Sequence, residues 1–280
     1  MFRLQFSGAH HNPLFENVKE PIPHDITLAA NPIQQYSMSG NFHSLSIIIP
    51  VFNEENLVLQ VIRQLQAIRF PEFVSAVEIV VVDDCSSDHT YRRLREGGFS
   101  TTPAVKILRH ERNLGKGAAV RTGIKESIGN VLLIQDADLE LSPSDIPAML
   151  QAMHELNVEF INGSRYLPGV HRPLASYRRY LANRIFTWMT SVLINVKLTD
   201  MACGYKLVSR QLFEQIELRE NRFGFEAELI IKAMRIKRNN IAEVPVRYFP
   251  RNEGEGKKLR NTDGIKILLT IIKYGLLRIK

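Results

Sequence analysis

Three acidic residues lie at alternate positions near the middle of the chain: Asp136, Asp138 and Glu140. They follow an apolar run in the stretch LLIQDADLELSP (132–143). Carboxylates two residues apart repel one another, and a bound Mg²⁺ or Mn²⁺ relieves that repulsion. These ions prefer oxygen ligands, which they often take both from carboxylates and from substrate phosphates. The spacing therefore predicts a metal–diphosphate site on Asp136 and Asp138, with a solvated turn as the alternative. Glu140 is either a third ligand or an acid that begins the next helix.

A second pair of acids, Asp83 and Asp84, ends the apolar run VEIVVVDD (77–84). Such carboxylates can accept hydrogen bonds from a ribose or from the N–H of a base, and capping of the next helix is the alternative role. The segment NLGKG (113–117) suits a phosphate, because its glycines let the backbone approach and Lys116 adds positive charge near a helix start. Its spacing is neither that of a P-loop nor that of a dinucleotide-binding fingerprint.

Short apolar, β-branched runs alternate with helical patterns from Ser44 onward. We predict strands at 44–52, 77–84, 104–110, 130–138 and 159–166, and helices within 54–68, 86–96 and 113–127. Asn53 is the expected N-cap of the first helix. The alternation predicts an α/β fold, in which a mostly parallel central sheet is flanked by helices. Ligands of such sheets bind beyond the carboxyl ends of the strands, so one edge should gather Glu54, Asp83, Asp84, Asp136, Asp138 and Arg165.

The composition of the 280 residues narrows the class of partner. A formal net charge of +7 with 45% hydrophobic residues suits a well-packed domain that meets a phosphorylated substrate or an anionic membrane. The basic residues are not interleaved with aromatic ones as in a nucleic-acid module, so no nucleic-acid partner is expected. Two distant cysteines, no signal-peptide pattern and no run of about 18 apolar residues predict a cytoplasmic chain without a spanning helix.

The chain divides into three predicted parts. Residues 1–43 have no period of 2 or 3.6 and are expected to be an irregular or disordered extension. Residues 44–263 form the expected catalytic domain. Residues 264–280 interleave four basic residues with leucine and isoleucine, which predicts an amphipathic C-terminal helix at an anionic membrane interface or packed on a protein. The apolar segment IFTWMTSVLINV (185–196) should likewise face a membrane or a partner subunit.

Five motifs occur in a fixed order along the first half of the chain: IIIPVFNEE, IVVVDDCSSDHT, NLGKGAAVRTG, LLIQDADLE and INGSRY. Together they resemble those of the family 2 inverting glycosyltransferases, which have the Rossmann-like A-type glycosyltransferase fold. The likeness extends from about Leu45 to the end of the chain. Its later motifs, LTDMACGYKLVSRQLF, RFGFEAELIIKA and EVPVRYFPRNEGEGKKL, are most similar to the dolichyl-phosphate and other polyprenyl-phosphate mannose or glucose synthases.

The resemblance implies a role for each matching position. The nucleotide sugar would be bound by Pro50, Glu54, Asp83, Asp84, Lys116 and Asp136. Mg²⁺ or Mn²⁺ would be bound by Asp136, Asp138 and Glu140, the last of which is often glutamine in relatives. The acceptor phosphate would be surrounded by Arg165, Arg178, Arg179, Arg251 and Lys257. Catalysis would involve Asp138, Arg165 and Glu226, with Glu226 matching the base that serves hydroxyl acceptors.

The implied reaction moves mannose or glucose from GDP-mannose or UDP-glucose to a dolichyl or undecaprenyl phosphate, at the cytoplasmic face of a membrane. A homo-oligomer or a membrane partner protein is also possible on this resemblance. One alternative keeps the donor and changes the acceptor to a sugar or small-molecule hydroxyl, for which Glu226 would be needed as a base. Another alternative is a non-catalytic membrane scaffold. The intact acids at 83, 84, 136 and 138 argue against it, because a scaffold does not need them.

Overall fold

The structure, a computed structural model, describes residues 44–169, 176–236, 240–251 and 261–278, which all lie within one compact unit of the chain. The strands in these ranges are β1 (Ser44–Val51), β2 (Ala76–Asp83), β3 (Ala104–Arg109), β4 (Val131–Ile134), β5 (Phe160–Ser164), β6 (Lys206–Ser209) and β7 (Ile241–Pro245). The helices are α1 (Val58–Gln66), α2 (Thr90–Glu96), α3 (Lys116–Lys125), α4 (Ile146–Glu155), α5 (Tyr177–Ile194), α6 (Arg210–Phe213), α7 (Phe225–Ile236) and α8 (Asn261–Thr270). A 3₁₀ turn at Pro143–Asp145 precedes α4, and a π-helical segment at Ile271–Leu276 extends α8.

The strands form one sheet in the order β3-β2-β1-β4-β6-β5-β7. β1 pairs in parallel with β2 and β4, β2 pairs in parallel with β3, and β5 pairs in parallel with β7. β6 is antiparallel to both of its neighbours, β4 and β5. Two antiparallel pairings in succession give β5 the direction of β4, so the carboxyl ends of β1, β2, β4 and β5 share one edge. The mostly parallel sheet flanked by helices is therefore confirmed.

The core lies on both faces of this sheet. Ile48 of β1 packs in one cluster with residues of α3 and α7, whereas Ile47 and Ile49 pack on the other face with residues of α1 and α4. A strand that is buried on both faces must be apolar at every position, because its side chains alternate between two hydrophobic layers. This arrangement explains why the strand segments are continuous apolar runs rather than alternating ones.

The prediction that Asn53 caps the first helix is wrong. The helix α1 begins at Val58, Leu57 is at its N-cap position, and no side chain caps it. Asn53 has a positive φ of 52° and accepts a hydrogen bond from the backbone N–H of Ser87 at 2.8 Å. An asparagine tolerates the left-handed region better than most residues do, so here it joins the loops that follow β1 and β2.

The segments with apolar outer faces form helices on one side of the molecule. Residues 185–194 of the predicted apolar segment 185–196 form the second half of α5, which begins eight residues earlier at Tyr177 and ends at Ile194. α8 and the π-helical segment together contain most of the predicted C-terminal helix, and both α5 and α8 contact α7. No described helix combines the length and the apolar character needed to cross a membrane.

Candidate active site

Lys116 lies between two carboxylates at the carboxyl edge of the sheet. Its Nζ is 2.6 Å from Oδ1 of Asp136, just after β4, and 2.6 Å from Oε1 of Glu226, in the first turn of α7. Burial alone would lower the pKa of Lys116, but the two acids outweigh burial and raise that pKa well above its ordinary value. Lys116 is therefore a permanent cation, and Glu226 is its counter-ion.

Arg251 forms a second bridge between acids that are far apart in the sequence. An antiparallel bridge between Leu141 and Tyr248 brings the segment after β7 beside the acidic turn. The Arg251 guanidinium then donates to both carboxylate oxygens of Glu54 at 3.0 and 3.1 Å, and to Oδ2 of Asp138 at 3.3 Å. Burial lowers the pKa of Arg251, but Glu54 and Asp138 raise it by more than burial lowers it. The pKa therefore lies above its ordinary value, and this side chain also stays charged.

Asp138 is in an unusually crowded electrostatic environment. Burial, together with the neighbouring carboxylates of Asp136 and Glu140, raises its pKa to about 6 in spite of Arg251. Glu140 is turned toward another segment: its carboxylate accepts hydrogen bonds from the backbone N–H of Arg251 at 3.1 Å and from the hydroxyl of Tyr248 at 3.3 Å. The acids of this turn thus hold the segment after β7 in position.

The residues present fit a hard divalent cation on Asp136 and Asp138. Their donors are carboxylate oxygens, which a hard divalent ion prefers. Burial first, and the neighbouring carboxylates of Asp136 and Glu140 second, raise the pKa of Asp138, and a bound cation would offset both effects. Among the described residues, no three acidic, histidine or cysteine side chains are grouped closely enough to hold a metal by themselves. A metal here would therefore take its remaining ligands from a substrate diphosphate and from water, and Glu140 stays only a predicted ligand.

Asp83 and Asp84 are both buried, and both carboxylates have partners within the protein. Asp83 faces Arg109 at 3.2 Å and accepts weak hydrogen bonds from the backbone of Ser86. Asp84 accepts hydrogen bonds from the backbone N–H groups of Leu114 and Gly115 at 2.8 and 2.7 Å, and its Oδ1 is 2.7 Å from His110. Asp84 thereby fixes the NLGKG turn, and it still lines the cleft described below.

Arg165 is oriented by Asp200, a residue that is fully buried. The guanidinium of Arg165 donates two parallel hydrogen bonds to the Asp200 carboxylate at 2.7 and 2.9 Å, and its backbone N–H donates a third at 3.0 Å. Burial lowers the pKa of Arg165, but Asp200 raises it well above the ordinary value. Asp200 lies 35 residues after Arg165, so no local spacing in the sequence connects the two side chains.

Two clefts meet at the acids that follow β4. The first cleft, of about 680 Å³, is lined by backbone and side chains from the ends of β1 and β4 and from the NLGKG turn, among them Pro50, Glu54, Asp84, Asn113 and Lys116. The second cleft, of about 360 Å³, lies toward α5 and is lined among others by Arg165, Arg178, Arg179, Glu226 and Tyr248. Lys116, Asp136, Asp138 and Arg251 line both clefts.

The structure therefore brings most of the predicted site residues together. Asp83 is the exception among the described residues, since it lies under the edge and lines neither cleft. The predicted phosphate ligand Lys257 lies outside the described residues. Sequence reasoning missed Asn113, Gly204 and Tyr248. A glycine inside the predicted motif LTDMACGYKLVSRQLF was a usable signal for Gly204, because a glycine often marks a close approach by another group.

Comparisons with known proteins show the family of this chain. A model of the family described as glycosyl transferase family 2 matches residues 46–217. A dolichol-phosphate mannosyltransferase of Pyrococcus furiosus is 31% identical over 225 residues, which cover 76% of this chain and 58% of that protein. A dodecaprenyl-phosphate galacturonate synthase of Rhizobium johnstonii is 26% identical over 213 residues, covering 76% of this chain and 61% of the relative. The chain thus spans about three fifths of the length of these two relatives.

Two further similarities differ in what they cover. A UDP-N-acetylglucosamine–dolichyl-phosphate N-acetylglucosaminyltransferase of Methanococcus voltae is 27% identical over 247 residues, which cover 82% of this chain and 96% of that protein. The crystal structure of a glucosyl-3-phosphoglycerate synthase from Mycobacterium tuberculosis, with Mn²⁺, UDP and glucosyl-3-phosphoglycerate, has a TM-score of 0.64 at 18% identity and covers 83% of this chain and 80% of its own. This likeness confirms the expected A-type fold.

Proposed function

Since the chain belongs to glycosyl transferase family 2, we propose that it transfers a hexose from a nucleotide-diphosphate sugar to a polyprenyl phosphate, with inversion at the anomeric carbon. The observation that carries this proposal is the junction of the two clefts. Asp136 and Asp138 line both clefts. The first cleft contains the residues predicted to bind the nucleotide sugar, and the second contains the arginines predicted to bind the acceptor phosphate. A donor in the first cleft and an acceptor phosphate in the second would meet at these acids.

The first cleft is the proposed donor site. It is large enough for a nucleotide sugar, and Lys116 at the start of α3 adds a permanent positive charge to its lining. In this structure Lys116 neutralises Asp136, and Arg251 neutralises Asp138. GDP-mannose and UDP-glucose remain the two proposed donors.

Mg²⁺ or Mn²⁺ is the proposed cofactor, held by Asp136 and Asp138, and when bound it supplies a Lewis acid for the departing diphosphate. The M. tuberculosis synthase was crystallised with Mn²⁺ and UDP, which supports the same donor chemistry in this chain. The protein's own contribution is to orient the carboxylates: Asp138 Oδ1 accepts a hydrogen bond from the backbone N–H of Glu140 at 3.0 Å, and Asp136 is held by Lys116.

The second cleft is the proposed acceptor site. Arg165, Arg178, Arg179 and Arg251 line it, and the planar guanidinium group matches a phosphate with two parallel hydrogen bonds. A phosphate monoester is already ionised at neutral pH, so it attacks without a general base, and positioning by the arginines is the main requirement. Three curated relatives named above bear the names of dolichyl- or dodecaprenyl-phosphate enzymes, which supports a polyprenyl phosphate here.

A polyprenyl phosphate is a lipid, so an enzyme that uses it as acceptor must act at a membrane surface. We propose that residues 44–263 are the catalytic domain and that 264–280 are an amphipathic segment by which the chain contacts the membrane peripherally. The prediction that residues 1–43 are an irregular or disordered extension concerns a part of the chain that lies outside the described residues.

The position of Glu226 favours a second candidate function, which is transfer of the sugar to a hydroxyl acceptor. It lines the second cleft beside Lys116, at the place where a base for a sugar hydroxyl would be needed. The contact with Lys116 disfavours this role, because Oε1 of Glu226 already accepts a hydrogen bond from the Lys116 ammonium group at 2.6 Å.

The test is transfer of radiolabelled sugar into an organic-extractable, mild-acid-labile product with a short-chain polyprenyl phosphate. We expect Arg178→Ala/Arg179→Ala to lower acceptor kcat/KM by about tenfold or more, because a charge-assisted hydrogen bond contributes about 1.5–3 kcal/mol. Donor hydrolysis should persist in this variant. Arg184→Ala is the matched control, since Arg184 lies on the same helix, donates to the Thr199 carbonyl and does not line the cleft. Label that enters only a hydroxyl acceptor, and does so only with Glu226 intact, would replace the proposal by the second candidate.

A further inference from the structure

Lys206 is a lysine whose side chain is fully buried. It is the first residue of β6, the strand between β4 and β5, and it pairs with Ile134 on one side and with Asn162 on the other. A short strand in the middle of a sheet, covered on both faces, is expected to be apolar, as Leu207 and Val208 are. A buried lysine is costly unless its ammonium group has partners, so this residue indicates a functional demand at its position.

The partners of the Lys206 ammonium group are backbone carbonyls. Its Nζ donates to the carbonyl oxygen of Cys203 and, more weakly at 3.5 Å, to that of Met201. Within the described part of the chain, Lys206 forms no ion pair with an acid. Burial lowers the pKa of Lys206, and Cys203, Glu226 and Asp200 act against that effect. The lysine therefore acts as a donor to one stretch of backbone, which is the turn that precedes β6.

This turn, residues 200–204, connects the two sides of the proposed site, and we call it the β6 turn. At its start, Asp200 accepts two parallel hydrogen bonds from Arg165, which lines the second cleft. At its end, Gly204 lies so close to Asp136 that a Cβ on the glycine would meet the carboxylate. A shift in the first half of the turn would therefore move an acceptor-side arginine, and a shift in the second half would move a proposed metal ligand.

The two halves of the β6 turn have different anchors. The first half does not depend on Lys206 alone, because Asn162 donates to the carbonyl of Asp200 at 2.9 Å. In the second half, the carbonyl of Cys203 accepts from Lys206. This carbonyl belongs to the same planar peptide unit as the backbone nitrogen of Gly204. The lysine thus fixes the orientation of the peptide plane that leads into the contact of Gly204 with the acidic turn after β4.

We propose that Lys206 is a positioning residue for Asp136, which it orients through the second half of the β6 turn. The inference rests on the proposed function, because Asp136 is a proposed ligand of the ion on the donor diphosphate. Residues that orient a metal ligand from behind typically contribute about 10–100-fold to metal affinity or activity. Use of the acceptor does not depend on Lys206 in the same way, because the contact of Asp200 with Arg165 has its own anchor.

The test compares Lys206→Met with the wild-type full chain. Methionine has nearly the same length and volume as lysine but donates no hydrogen bond, so it releases the β6 turn without opening a cavity. Lys206→Gln retains a shorter, neutral donor and should recover part of the loss. The matched control is Lys106→Met, because Lys106 also donates to a backbone carbonyl, that of Glu126, and lines neither cleft.

Three measurements separate positioning from a general structural effect. The first is the affinity for GDP or UDP with Mn²⁺, measured by titration of the Tm shift. The second is steady-state kinetics of transfer and of donor hydrolysis, and the third is amide hydrogen exchange in the β6 turn.

We expect Lys206→Met to bind the nucleotide with Mn²⁺ about tenfold more weakly, or worse, and to have a kcat at least about tenfold lower for both transfer and donor hydrolysis. Amide exchange at Gly204 should become faster, and the KM for the acceptor should stay at the wild-type value. Lys106→Met should behave like the wild type in all three measurements. Loss of stability alone would reduce the active fraction without weakening nucleotide binding in the protein that remains folded.

Several results would overturn the positioning role. One is wild-type nucleotide binding and kcat in Lys206→Met, and another is a change confined to the KM for the acceptor. If Lys206→Met and Lys206→Gln both fail to fold, the lysine serves the fold as a whole and the proposal is wrong. Wild-type protein that neither binds a nucleotide with Mn²⁺ nor transfers sugar would instead reject the proposed function, and hydrogen exchange would still decide whether Lys206 holds the β6 turn.

Discussion

At the scale of single residues, the site is organised by cations that are shared between acids. Lys116 joins Asp136 to Glu226, and Arg251 joins Glu54 to Asp138. Buried charges are tolerated only when they are paired, so removal of one partner leaves an uncompensated charge. The pair of Arg165 with Asp200 is more deeply buried than these two and lies next to the proposed acceptor phosphate.

Asp200 is expected to act as a positioning residue for Arg165. Asp200→Ala should lower the free energy of unfolding by about 3–5 kcal/mol, because the guanidinium is left buried without its carboxylate. It should also raise the KM for the acceptor while donor hydrolysis persists. Urea unfolding and the transfer assay measure the two effects.

Two comparisons separate positioning from a general structural effect. Glu217→Ala removes the partner of Arg219 in an exposed pair and should cost less than about 1 kcal/mol. Arg165→Ala/Asp200→Ala should be more stable than Asp200→Ala alone, since both charges are then absent. Equal stability of the Asp200 and Glu217 variants would contradict the assignment.

At the scale of elements, the antiparallel strand β6 shapes the acidic turn. The chain segment just before β6 packs Gly204 directly against the carboxylate of Asp136. A Cβ at this position would collide with that carboxylate in its present place, so the close approach, rather than the backbone conformation, favours glycine here. The strand that the sequence prediction omitted thus controls where a proposed metal ligand can lie.

Gly204→Ala should reduce transfer with little effect on stability. The methyl group would displace the end of a side chain, which moves easily, and a displacement of about 1 Å at a reacting centre can cost about a hundredfold in rate. Steady-state kinetics and thermal unfolding measure the two quantities. Gly264→Ala is the matched control in the same cleft, because its Cβ would lie 3.8 Å from Phe186, an ordinary contact. If both variants retain full activity, the position of Asp136 does not control the rate of transfer, and the prediction is wrong.

At the scale of the whole molecule, the excess of positive charge matches two proposed anionic ligands and an anionic surface. The net charge is +7, and basic residues line both clefts. The acids of the clefts would be masked by a bound divalent ion. The folded chain should therefore gain stability when the ion and a nucleoside diphosphate bind together.

A thermal-shift experiment tests this expectation. GDP or UDP with Mn²⁺ should raise the Tm of the full chain, since a ligand at about 100 times its Kd stabilises the folded state by about 2.7 kcal/mol. The nucleotide that gives the larger shift identifies the base. EDTA or Asp138→Asn should abolish the shift, whereas Glu126→Gln should keep it, because Glu126 pairs with Lys106 in an exposed ion pair. A shift that persists in EDTA would exclude the metal–diphosphate assignment.

The sequence by itself determined the sheet edge and the family. Buried strands are continuous apolar runs, and the polar residues that follow them, such as Asp136 and Arg165, must meet at the carboxyl edge of a mostly parallel sheet. The motifs around them sufficed for the resemblance to family 2 glycosyltransferases and to polyprenyl-phosphate sugar synthases, which is confirmed.

Only the tertiary structure decided which charges pair. Lys116 and Glu226 are 110 positions apart, and Arg251 and Glu54 are 197 apart, so no local spacing could connect them. The same holds for β6, whose insertion between β4 and β5 depends on long-range strand pairing rather than on a periodic pattern. Local periodicity reports which face of an element is buried, whereas the partner that covers this face is chosen by the fold as a whole.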